Sequence, residues 1–544
     1  MVVEPSHIST ARSFIPPPAP GERPTEYADR IGEYHVATRS EAHRKQHGLY
    51  LTPVTAADFM AAQIQVAGDR LRVLDPAAGA GILCCAAVEA LAERRRPPGW
   101  IELVAYEVDA ELMDPLQAVL DYLREWCREK HGISLEERVE SQDFVLAHAE
   151  TLRREDSLIP CESDDRDFDI AISNPPYFKI NKSDPRAVLA SSVVYGQPNI
   201  YALFMAVSAA LVRPGGDFIS ITPRSFTSGL YFRQFRRIFF DLVQPTLVHA
   251  FGSRREAFKR DEVLQENVIL HGTRLNSQPQ DRQAPLVISS SRGVGDLDDS
   301  DRRTTPLQAA LDLDDRERVL RLPVSEEDAR VLDLVDSWPN TLASLGLGIS
   351  TGPVVPFRAK DLVEREGQVP ELHVPLLWMN HVRPMQVTWP LNRHKPEYIK
   401  RQGAEKLLLP NRNYVLLRRF TAKEEVRRLS AAPYVARSMP VPLVGLENHL
   451  NYIYRQAGSL TDEEAWGLAA LYNSRLLDTY FRCLNGHTQV NATELRAMPL
   501  PANHFIVELG ERVQQLANPI DHLDPLIADT LSADICRKFV VEQA

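Results

Sequence analysis

Four short stretches carry side chains whose types and order suit ligand chemistry. The first is Asn174-Pro175-Pro176-Tyr177, which breaks the alternating apolar run Phe168 to Ser173. Two prolines cannot continue a central strand, because each lacks the N–H that the ladder needs. The strand therefore ends in a stiff, extended loop that displays an amide and an aromatic ring. The second is "DPAAGAG", residues 75–81, directly after the run "LRVLD". A glycine-bearing turn between a strand and a helix lets a ligand approach the backbone closely. Only Gly79 and Gly81 are glycines, so this is not the six-residue dinucleotide pattern, and alone it is a weak signal. The third is Glu107 at the tip of "IELVAYE", where a carboxylate suits a bidentate contact to ribose hydroxyls. The fourth is Asp143-Phe144, an acid and a ring able to hold an adenine by hydrogen bond and stacking.

The elements that must position these groups read as an α/β sheet. Candidate strands are residues 71–75, 101–107, 168–173, 217–222, 246–251 and 267–272, with apolar-faced helical stretches between them, as at 82–94 and 111–130. With a third short element before Asp143-Phe144, all four stretches then fall at the carboxyl ends of strands, where open α/β sheets bind ligands.

The length of 544 residues suggests two or three domains. Residues 1–30, with "FIPPPAPGERP", read as a flexible Pro-rich tail. Residues 31–275 read as a catalytic domain, 276–315 as a polar, turn-rich linker, 316–505 as a second domain of mixed α/β pattern, and 506–544 as C-terminal helices. The longest apolar run, "IYALFMAVSAALV", is too short for the roughly 20 residues of a membrane span. The six cysteines form no CxxC pair, and the N-terminus carries no apolar export core, so a reduced cytoplasmic protein without metal is expected.

The net charge of −11 hides an uneven distribution. Residues 371–440 hold 13 Lys/Arg against 5 Asp/Glu, and residues 224–260 hold 8 against 2. Basic segments on an acidic body suit a focused nucleic-acid face.

The ordered set "GLYLTPVTAADFM", "VLDPAAGAG", "AYEVD", "SQDF" and "SNPPY" resembles the gamma-class N6-adenine DNA methyltransferases of type II restriction–modification systems. The later segments "GQPNIYALFMAVSAALVRPGG", "ITPRSFTSGLYFRQFR" and "REAFKRDEVLQENVIL" follow in the family's order. "ISTGPVVPFR", "NYVLLRRFTAKEE" and "LNGHTQVNATELRAMPLP" resemble recognition segments of modification methylases that partner XhoI-type endonucleases. The likeness spans roughly residues 40–505.

The resemblance implies a Rossmann-like sheet of the S-adenosylmethionine (SAM)-dependent methyltransferases and a C-terminal domain that recognises a specific site in double-stranded DNA. It also implies a separate endonuclease acting on that site, and no membrane. SAM would be held by Thr52, Pro53, Asp75, Pro76, Ala77, Gly79, Gly81, Glu107, Val108, Asp143 and Phe144. The target adenine would be flipped out of the duplex and met by Asn174, Pro175, Pro176 and Tyr177, with Phe258 as a second ring. The N6 lone pair is delocalised into the adenine ring. The Asn174 side-chain carbonyl and the Pro175 main-chain carbonyl, accepting both N6 hydrogens, would localise it for in-line attack on the methyl, with Tyr177 offering a stacking face. In the basic segment, Arg412, Arg418 and Arg419 would meet phosphates or guanine edges.

Other readings compete. NPPY-type methyltransferases also act on protein glutamine or RNA adenine, and a DNA-recognition subunit can lack catalysis. Pro160-Cys161 suggests a cytosine-C5 nucleophile, but Cys161 lies in the acidic run "CESDDRD", a poor place for a thiolate. N4-cytosine enzymes usually carry Ser where this chain has Asn174.

Overall fold

The computed structural model describes residues 15–37, 51–154, 167–252, 266–276, 280–365, 371–392, 395–421, 425–485 and 489–531. Phe258 and Cys161 lie outside these. The chain divides into two compact units, Met1–Leu320 and Arg321–Ala544.

The first unit is built on nine strands: β1 (Arg70–Asp75), β2 (Trp100–Tyr106), β3 (Ser134–Glu140), β4 (Phe168–Ser173), β5 (Val212–Pro223), β6 (Val243–Phe251), β7 (Asn267–Arg274), β8 (Pro285–Ser291) and β9 (Asp301–Pro306). Their order is β3-β2-β1-β4-β5-β7-β6-β8-β9. The pairs among β1 to β5 are parallel, whereas β7 runs antiparallel to both β5 and β6. This order, with its antiparallel β7, matches the Rossmann-like sheet that the resemblance implied, extended by two strands. From β1 the chain winds outward through β2 to β3, then crosses back to β4 on the other side of β1. The gap between β1 and β4 is therefore the topological switch point, where such sheets bind ligands.

Helices α1 (Pro24–Ala37), α2 (Val54–Ala61), α3 (Ile82–Ala92) and α4 (Ala110–Trp126) contribute to one apolar core with β1, β2 and β4. β4 is buried at every position, as a central parallel strand must be.

Two sequence expectations are corrected here. The Pro-rich composition of the N-terminus masks α1, which starts inside the expected tail. Tyr27, Ala28, Ile31 and His35 recur at helical spacing and are buried. The expected linker holds β8 and β9; in β8, Leu286 and Ile288 are fully buried, with Val287 between them only partly exposed. Strand β3, "SLEERVE", is the third short element before Asp143-Phe144; as an edge strand it needs few apolar residues.

The second unit contains a four-stranded antiparallel sheet of Leu347–Thr351, Leu450–Arg455, Tyr414–Arg418 and Ala431–Tyr434. A five-stranded mixed sheet includes His373–Leu377 beside Leu443–Leu446. The helix Asn503–Val513, expected in a separate C-terminal stretch, is part of this unit's core. It crosses Asp462–Asn473 with the two backbones in contact. A Cβ added at Gly467 would sit 1.8 Å from the Ile506 carbonyl, and one at Gly510 would sit 1.9 Å from that of Glu463.

Candidate active site at the switch point

Strand β1 ends at Asp75 and feeds the turn Pro76–Gly81. Gly79 and Gly81 have φ of +56° and +90°, a region that favours glycine. At Gly81 a Cβ would also lie 2.9 Å from Leu116 of α4, so the turn cannot widen there. The Ala78 N–H donates to the Tyr106 carbonyl at 2.9 Å, tying the turn to the end of β2.

Glu107 follows β2 and is almost wholly buried. Its carboxylate accepts the Gly79 N–H at 2.9 Å and the Asp109 N–H at 2.7 Å. Burial raises its pKa, and the backbone donors oppose that rise. Asp109 caps α4, its side chain accepting from the Glu111 N–H.

A cleft opens between these elements. Pro76, Ala77, Gly79, Glu107, Val108 and Phe144 line it, together with Asn174 and Pro176. A narrower extension reaches Thr52. Phe144 packs edge-to-face on Tyr106 at 5.2 Å and lies 5.4 Å from Phe204, forming an aromatic wall.

Four predicted cofactor residues, Pro53, Asp75, Gly81 and Asp143, do not line the cleft. Asp75 is fully buried beneath the turn, where it accepts the Ala77 N–H at 3.1 Å and lies 3.4 Å from Cys84 Sγ. Burial pushes its pKa up to about 7. Asp143 caps the helix Phe144–His148 through the Leu146 N–H at 2.9 Å, and its neighbour Gln142 faces the cleft instead. Pro53, the N-cap of α2, and Gly81 shape the site without lining it.

Sequence reasoning missed one wall. Gly32, His35 and Val36 of α1 line the cleft, and His35 Nε2 lies 3.8 Å from Asp109 Oδ2. The helical stripe from Tyr27 to His35 was the available signal, obscured by the prolines before it.

At the end of β4, Asn174 is held on both sides. Its Nδ2 donates to Thr52 Oγ1 at 2.9 Å, and its Oδ1 accepts from the Tyr177 hydroxyl at 2.5 Å. The Ile221 carbonyl is a second acceptor for that hydroxyl, at 3.0 Å. Tyr177 is only 6% exposed, its ring edge-on to Tyr201 at 6.2 Å. The open stacking face expected from the sequence is therefore covered here, and the residue's polar end holds the asparagine.

Residues 113–258, which include this loop, match the family model described as Eco57I restriction-modification methylase. The chain is 31% identical over 495 residues to the type II methyltransferase M.PstI of Providencia stuartii, covering 91% of this chain and 93% of that protein. It is 34% identical over 479 residues to the type II methyltransferase M.BsuBI of Bacillus subtilis, covering 87% and 91%. The chain belongs to the type II methyltransferases of restriction–modification systems.

In the second unit of this methyltransferase, the expected DNA-facing arginines already have internal contacts. Arg412 donates to the Gly458 carbonyl at 2.9 Å and Arg419 to the Asn448 carbonyl at 3.2 Å, while Arg418 pairs with Glu425 at 3.5 Å. Among the described residues no helix is long and apolar enough to cross a membrane, and no cluster of potential metal ligands occurs.

Proposed function

We propose that this methyltransferase transfers a methyl group from SAM to N6 of a flipped-out adenine at a specific site in duplex DNA. The observation that carries this reading is the Asn174 amide, held by Thr52 and Tyr177 at the cleft's end. An amine whose lone pair is delocalised needs fixed acceptors rather than a strong base, and a preorganised carbonyl supplies one.

The cleft suits SAM by its donor set. The Gly79 turn admits a ligand close to the backbone, the Glu107 carboxylate suits ribose hydroxyls, and Val108 and Phe144 flank a flat apolar slot. SAM supplies the electrophilic methyl. The chain's own residues bind and orient. Thr52 fixes the amide nitrogen of Asn174, Tyr177 donates to its Oδ1, and that oriented carbonyl is the acceptor an incoming amine would meet. The rigid Pro175 and Pro176 set the direction of the adjacent carbonyl. Proton release follows transfer and needs no dedicated base.

The gamma-class and XhoI-partner assignments rest on motif order and on the recognition segments at 349–358, 413–425 and 484–501. A host-protective role with a separate endonuclease in the cytoplasm fits the same reading. Basic residues between 371 and 440 favour DNA over a protein glutamine.

Long-read sequencing of DNA from cells expressing the protein tests this directly. N6-methyladenine at one recurrent site is expected, and it should vanish with Asn174→Ala, whose rate should fall on the order of 10²–10³-fold. Unmodified adenine with a modified cytosine would refute the reading.

A further inference from the structure

The catalytic loop is flanked by an exposed patch of rings and cations that the proposed chemistry does not use. Phe178 and Ile180 pair back onto residues 198–200: the Ile180 N–H donates to the Pro198 carbonyl at 3.1 Å and the Ile200 N–H to that of Phe178 at 3.0 Å. This brings Tyr195 and Gly196 beside the loop. The Tyr231 ring lies directly over Gly196, where a Cβ would sit 2.2 Å from the ring. Tyr231 is 51% exposed, Leu230 39% and Tyr195 38%. The Arg233 guanidinium covers the Tyr195 ring at 4.2 Å.

The patch is rigidly coupled to the site. Phe232 stacks on Tyr201 at 5.4 Å, and Tyr201 meets the edge of Tyr177. The buried Arg236 donates to the carbonyls of Phe226 and Gly229 at 3.0 and 2.8 Å, fixing the segment that presents Leu230 and Tyr231. Exposed Lys179 and Lys182 follow the catalytic loop, and neither forms an ion pair among the described residues.

We infer that this patch is the duplex-facing surface of the first unit: Lys179 and Lys182 meet backbone phosphates, and Leu230 with Tyr231 wedges into the stack that the target base leaves. The inference rests on the base-flipping reading above and assigns its mechanical part. Charge complementarity selects the occupant. Exposed lysines following the catalytic loop, together with exposed apolar and aromatic side chains, suit a polyanion whose bases stack, and wedges of this kind unstack base steps. The wedge keeps the vacated space closed, so the base stays out.

The test uses the full-length protein and a duplex carrying 2-aminopurine at the target adenine. Leu230→Ala/Tyr231→Ala should lose the flipping fluorescence and methylate matched duplex on the order of 10-fold more slowly. A mismatch opposite the target should restore most of the rate, since less pairing must be broken. Tyr231→Trp, which keeps a ring, should retain the signal. Lys179→Ala/Lys182→Ala should lower the slope of log affinity against log salt by roughly 1.8. SAM affinity, measured by calorimetry, should be unchanged throughout. Wild-type fluorescence and rate in the Leu230/Tyr231 variant would overturn the wedge, and an unaltered salt slope would overturn the phosphate contacts. Absence of adenine methylation by the wild-type protein would instead remove the underlying functional reading.

Discussion

The Tyr177 hydroxyl lies 2.5 Å from Asn174 Oδ1, so a residue expected to contribute a ring face contributes a hydrogen bond to the proposed catalytic amide. Tyr177→Phe should keep the packing against Tyr201 and release the amide from one side. The turnover rate should fall about 10-fold, the upper range for one hydrogen bond, with SAM affinity and DNA KM unchanged. Single-turnover kinetics checks this. A wild-type rate would return Tyr177 to a packing role.

Asp75 sets a pH dependence of stability. Its folded pKa is about 7 against an ordinary 3.8. Between these values the folded protein holds a proton that the unfolded chain releases. This contribution to stability is therefore fully present below about pH 4 and is lost as pH rises through 7. Glu494, half-buried in the second unit and likewise raised to about 7 by desolvation of its carboxyl, acts with the same sign. Asp75→Asn stays neutral and should flatten the curve, so thermal unfolding of the two proteins should diverge between pH 5 and 8. Parallel curves would exclude Asp75 as a source.

Glu89 anchors the wall that the sequence reading missed. Its Oε1 accepts the Thr25 N–H at 2.7 Å, and its Oε2 accepts Arg23 at 2.9 and 2.7 Å. Glu89→Ala leaves a buried N–H unpaired, at a cost of about 1–3 kcal/mol. Helix α1 should become protease-sensitive and SAM affinity should drop, because Gly32, His35 and Val36 line the cleft. Arg23→Ala should be milder, since that side chain is 41% exposed. Equal SAM affinity with a released α1 would show that the helix is dispensable to the site.

A fragment of residues 1–320 should bind SAM without methylating one site selectively. The cut belongs after Leu320, because its N–H donates to the Thr227 carbonyl and the Glu317 carbonyl accepts Arg236 at 2.6 Å. Site-selective methylation by the fragment would refute the proposed division of labour.

What the sequence made legible followed local rules. β4 matches residues 168–173 because an apolar run stopped by two prolines leaves little freedom in its ends. The turn, Glu107 and the Asn174 loop share a cleft because strand ends in this topology converge. What failed were judgements of side-chain direction. Asp75 and Asp143 have the right type and place, but backbone N–H groups within three residues capture their carboxylates. Composition also misled at both borders of the first unit, where prolines concealed α1 and polar turns concealed β8 and β9.

The Asn174–Thr52 hydrogen bond joins residues 122 positions apart. At about 5–20 residues per second of synthesis, Thr52 leaves the ribosome on the order of ten seconds before its partner exists. Ile221, which accepts from Tyr177, comes later still. The cofactor therefore finds no finished cleft on the nascent chain and cannot template its folding. Added SAM should stabilise the completed protein against unfolding, because it binds the finished cleft and not the unfolded chain.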